Sequence, residues 1–155
     1  MMIESLVTIA VVSFGLLGVV GLLVTGISAA NMSQMRSSAI NLANEIAESM
    51  RANQTGVTDS IKNSSGYIVS DSAASLPSKV CKPQGATVLP VSCDPMEMAA
   101  FDVYDWKRKI EASLPNGKGE IARLVSSNAA FEIRITWLED KTTATNMNFK
   151  LRFEP

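Results

Sequence analysis

Few residues of this 155-residue chain are equipped for chemistry. It contains no histidine, so the commonest general base is missing. No glycine-rich phosphate loop, nucleophile elbow or metal-spaced cysteine cluster occurs. The carboxylates Asp102, Asp105 and Glu111 fall on or beside one expected helix, where such groups ordinarily form a solvated face. Trp106 and Trp137 fall in the apolar register of their elements, and both are expected in the core. No catalytic, cofactor-binding or metal-binding set emerges, and the chain is not expected to be an enzyme. With a net charge of −1 and no long run of either sign, it also lacks the basic face that a nucleic-acid partner would want.

Two cysteines, Cys81 and Cys93, lie in a polar, proline-containing stretch and match no CxxC redox or zinc spacing. In an oxidising compartment they read as one disulfide clamping a loop, which by loop entropy contributes roughly 3 kcal/mol. In a reducing compartment they would be two free thiols.

The residue that stands out is Glu4. Residues 5–35 carry no charge at all. About 20 apolar helical residues cross a bilayer, and residues 2–30 are long enough. A cleavable signal peptide would need a basic leading segment and a shorter apolar core, so a retained membrane helix is expected. A carboxylate beside such a span is costly unless paired, which makes Glu4 a functional candidate. The plainer role is a headgroup-level residue favoured by the helix dipole. Within the span, Gly15, Gly18, Gly21 and Gly26 each cost a helix about 1 kcal/mol relative to alanine. They read either as a small-residue surface for close helix packing or as places where the helix bends in a second environment.

The elements that position these residues follow from periodicity. The apolar segment runs on as "NMSQMRSSAINLANEIAESMRAN", without proline or glycine. There Met32, Met35, Ala39, Leu42, Ile46 and Met50 make a single apolar stripe. One helix over residues 2–53 is expected, its first part (1–30) in membrane and its second (31–53) lying on a globular domain of residues 31–155. Residues 54–93 are rich in Ser, Gly, Pro and Thr and read as a long connection, with at most short strands near 66–69 and 86–89. A second helix over 94–114 has strong start signals: Asp94 as cap, Pro95 at the first position and Glu97 three residues on. "FEIRITWLE" and "MNFKLRFEP" alternate apolar and polar residues and form an expected hairpin, preceded by a strand near 120–126. Together, residues 119–155 make an antiparallel sheet whose apolar face covers the amphipathic half of the long helix. The fold class is α+β.

The opening "MIESLVTIAVVSFGLLGVVGLL" resembles the start of a mature type IV pilin-like protein. "LANEIAESMRAN", "DVYDWKRKIEASLPNGKG", "EIRITW" and "FKLRFEP" are similar to minor pilins of the PilV type. These pieces are spread over most of the chain, with little in the middle loop. The resemblance implies a long N-terminal helix packed on a C-terminal sheet. It also implies that Glu4 neutralises the N-terminal ammonium of a neighbouring subunit in an apolar filament core. In the family that glutamate is usually residue five of the mature chain, so a processed form lacking one residue, or an altered start, is expected. Many major pilins have a helix-kinking proline that this chain lacks, and Gly15, Gly18 and Gly21 stand in as points of flexibility.

The implied function is a minor pilin that helps initiate pilus assembly and sits at or near the tip. The implied partners are other minor pilins, the major pilin and a large tip adhesin. The protein would sit first in the inner membrane with a periplasmic domain, then in the cell-surface pilus. A minor pseudopilin of a type II secretion system, a competence pilus subunit and a simple membrane-anchored periplasmic protein are the alternatives.

Overall fold

The computed structural model describes residues 2–83, 92–124, 130–140 and 145–155. Three helices precede three strands: α1 (Met2–Ala52), α2 (Gln54–Asn63), α3 (Pro95–Ser113), β1 (Lys118–Arg123), β2 (Phe131–Asp140) and β3 (Thr145–Phe153). By internal contacts the chain divides into Met1–Gln34 and Met35–Pro155.

The first unit is the apolar part of α1. Every described side chain from residue 3 to residue 34 is exposed, and this helix is long and apolar enough to cross a membrane. Three of its hydroxyls turn back onto their own helix. Thr8 donates to the Ser5 carbonyl (2.9 Å), Ser13 to that of Ile9 (2.7 Å) and Thr25 to that of Leu22 (2.9 Å). Such internal bonds let a polar side chain sit in hydrocarbon without an orphaned donor.

In the second unit the helix keeps one apolar stripe, and that stripe is buried. Ala39, Leu42, Ala43, Ile46, Ala47 and Met50 share one core with Trp106, Ile110, Ile133, Ile135 and Trp137. The sheet is antiparallel in the order β1-β2-β3. β2 sends Phe131, Ile133, Ile135 and Trp137 inward, as the alternation predicts. The indole N–H of Trp106 donates to the Leu42 carbonyl at 2.9 Å, which ties α3 to the middle of the stripe.

α3 is capped as its sequence predicts. Asp94 accepts from the amides of Met96 (2.9 Å) and Glu97 (2.8 Å), and Glu97 accepts from the Asp94 amide at 3.0 Å. The connection over 54–93 differs from expectation, because its first ten residues form α2. Thr55, Gly56, Thr58 and Ser60 are poor helix formers, and tertiary contact overrides them. Asn53 ends α1 without a proline or glycine and accepts from the Gly56 amide at 3.0 Å, starting α2. Gly56 is required there: a Cβ would lie 2.6 Å from the Pro95 carbonyl oxygen. Near 66–69, only Val69 joins the sheet, through a bridge to Ile121. The strand expected near 120–126 is β1, which begins at Lys118 and ends at Arg123. Positions 86–89 and 125–126 lie outside the described residues.

Candidate functional site

Glu4 lies in the first turn of α1 and is exposed, and no cation of the described residues pairs with it. The dipole of the helix N-terminus favours a carboxylate there, yet the residues around it are apolar. Gly15, Gly18 and Gly21 follow on the same unbroken helix, at steps of three that keep them near one face. A Cβ added to any of them would meet nothing within 4 Å. The described residues therefore offer no packing reason for glycine at these positions.

Cys81 and Cys93 form a disulfide, with their Cα atoms 5.7 Å apart. Both ends of the loop it closes are tied to α3. Cys93 precedes the Asp94 cap, and on the other side Lys79 pairs with Glu97 at 2.6 Å. Lys79, with help from the Asp94 amide, holds the Glu97 carboxyl below the usual carboxylate range. Lys82 reaches Asp102 at 2.5 Å.

Asp102 departs from the solvated face expected for it: its side chain is 3% exposed. It also accepts the Tyr67 hydroxyl at 2.8 Å. Asn53 donates to that hydroxyl (3.3 Å) and to the Pro95 carbonyl (2.8 Å). One network, buried at its Tyr67–Asp102 centre, thus joins the end of α1, the 64–69 turn, α3 and the disulfide loop. Burial and the adjacent Asp102 push the Tyr67 phenol far above its ordinary range. Asp105 and Glu111 remain on the helix surface.

A second buried polar group, Lys107, donates to the carbonyls of Ser70 (2.7 Å) and Ser72 (2.8 Å). Burial lowers its pKa, opposed by Asp71 and Glu111. It strings the 70–72 segment across α3, beside an open groove of about 450 Å³. Nothing in the local sequence marks Lys107 or Asp102 as buried, because their partners lie 20 or more residues away along the chain. Among the described residues no cluster of three or more His, Cys, Asp or Glu is placed to hold a metal ion.

Two kinds of surface result: an apolar helix with one acidic residue in its first turn, and a globular unit whose loop is anchored covalently and by ion pairs. The first suits lipid or other apolar helices.

No curated protein and no solved structure matches the chain. A sequence model of the Tt1218-like family, described as type IV pilin Tt1218, matches residues 21–104. That span, more than half of the chain, takes in the rest of α1, α2, the disulfide loop and the first half of α3. It excludes Glu4 and the three strands, and meets the opening motif only at residues 21–23. The chain belongs to the Tt1218-like family of type IV pilins.

Proposed function

We propose that this pilin is a minor subunit that helps to initiate pilus assembly and remains at or near the filament tip, a structural protein and not a catalyst. The observation that carries the reading is the apolar half of α1, exposed along its length and led by Glu4, with the hydroxyls of Thr8, Ser13 and Thr25 bonded to its own backbone. Before assembly that helix anchors the protein in the inner membrane, with the globular unit in the periplasm. In the filament it packs beside the helices of other minor pilins and of the major pilin. A large tip adhesin is a further partner.

Glu4 then pairs with the N-terminal ammonium of a neighbouring subunit. Both charges are expensive in an apolar medium unless they meet, so the pair rejects wrong registers even where it adds little stability. PilV-like segments in the α3 and sheet sequences support the minor-subunit assignment.

The test is to shear filaments from native cells and identify the chain by mass spectrometry beside the major pilin. A Glu4→Ala variant is expected to insert normally in the membrane and to be lost from filaments. Incorporation of that variant at the normal level would refute the role given to Glu4. Recovery of the native chain only from membranes, in a culture whose pili are well recovered, would favour a secretion pseudopilin.

A further inference from the structure

The two edges of the sheet are finished differently. β1 is met on its outer side by Val69, whose amide donates to the Ile121 carbonyl (3.0 Å) and whose carbonyl accepts from the Ile121 amide (2.9 Å). β3 is the opposite edge, nine residues long, and among the described residues no strand lies beyond it. An uncovered edge of that length is a template for another strand.

The side chains beside this edge are unfinished in the same sense. Met147 and Phe149 stand opposite Trp137 and Ile135 on the core face, yet they are only partly buried while their β2 partners are fully buried. Ile40 of α1 is 42% exposed. With Arg36, Trp137 and Asn148, these three residues line a groove of about 260 Å³ along the edge. Trp137 is 3% exposed, and its indole N–H has no acceptor. A buried donor of this kind is costly to leave unmade.

Charge selects the occupant. On the outward face β3 carries Asn146, Asn148, Lys150 and Arg152, two amides and two cations with no carboxylate. Lys150 and Arg152 share one acid, Glu132, at 4.0 and 3.1 Å. Glu132 is itself 7% exposed and already bonded to Arg134. A second copy pairing antiparallel along the whole of β3 would set Lys150 opposite Asn148 and Arg152 opposite Asn146, which leaves both cations without a carboxylate across the strand pair.

We infer that β3 is a docking edge for an extended strand of another protein, apolar on the face that enters the groove and acidic on the face beside Lys150 and Arg152. The incoming backbone continues the sheet, its apolar side chains cover Ile40, Met147 and Phe149, and its carboxylates answer the two cations. The inference rests on the globular unit alone and holds whether or not the subunit sits at a pilus tip.

The experiment uses the full chain in detergent micelles and a fluorescent nine-residue peptide of alternating valine and glutamate, read by anisotropy. The expected result is saturable binding, absent for a valine–lysine peptide and for the valine–glutamate peptide N-methylated at alternate residues, which cannot pair as a strand. In a Lys150→Glu/Arg152→Glu variant, checked for folding by circular dichroism, the acidic probe should bind roughly tenfold more weakly and the basic probe should gain. A Phe149→Lys variant places a charge in the groove and should abolish binding of the acidic probe. Three outcomes would overturn the inference: no binding of the acidic probe, equal binding of the N-methylated probe, or self-association through β3 that Phe149→Lys removes.

Discussion

Ile46 and Leu17 are both aliphatic residues on α1, yet Ile46 is 1% exposed and Leu17 is 67% exposed. The difference lies in what surrounds each. Around Ile46 the helix alternates an apolar stripe with Asn44, Glu45 and Glu48, and the stripe meets α3 and the sheet. Around Leu17 the helix is apolar on every side, and no single face could satisfy it. One end of the helix is thus completed by its own chain, and the other needs lipid or neighbouring subunits. Mutations should sort by which end they touch.

The sharpest contrast is in the core. Ile46→Ala should cost about 2–5 kcal/mol, seen as a lower thermal midpoint of the globular unit in detergent. Leu17→Ala should leave that midpoint where it was, and an equal loss in both would break the distinction. Reducing the Cys81–Cys93 bridge should remove roughly 3 kcal/mol by the same measurement, while the helical signal of the apolar half persists.

A smaller effect appears at high pH. The Tyr67 phenol titrates far higher in the folded chain than in the unfolded one, where its pKa is about 10. Above that value the unfolded chain loses a proton that the folded chain keeps, so stability falls as pH rises. Between pH 9 and pH 11 this amounts to about 1.4 kcal/mol, measurable by denaturant titration and absent in Tyr67→Phe. Smallest of all, Lys109 pairs with Glu45 and with Asp105 on the surface. Lys109→Ala should cost about 0.5 kcal/mol, less at high salt. Glu45 and Glu4 are then two carboxylates of one helix with opposite demands: removing the first should soften the fold slightly and spare assembly, and removing the second should do the reverse.

Much of this architecture is legible in the sequence because its signals are local. Asp94, Pro95 and Glu97 mark the start of α3 within four residues, and the alternation of Phe131, Ile133, Ile135 and Trp137 fixes the inner face of β2. α2 is hidden because Gly56 is there for a close approach to Pro95, which local propensity counts only as a penalty. Asp102 is misread for a related reason. Tyr67 and Lys82, which give it a buried role, are brought to it by the fold and leave no periodic trace. Glu4 is the reverse case: the sequence marks it as unusual, and the described residues supply no cation to explain it. The open edge of β3 is half legible, since alternation shows Met147 and Phe149 facing inward but not that the cover above them ends early.

The anchoring of the disulfide loop has a practical consequence. One end is held by Cys81 and the Lys82–Asp102 pair, the other by Cys93 and the Asp94 cap. With Lys79 on Glu97 and Lys82 on Asp102 holding the chain to α3 on either side of Cys81, a reduced thiol there stays close to Cys93, so the bridge should re-form readily once reductant is withdrawn.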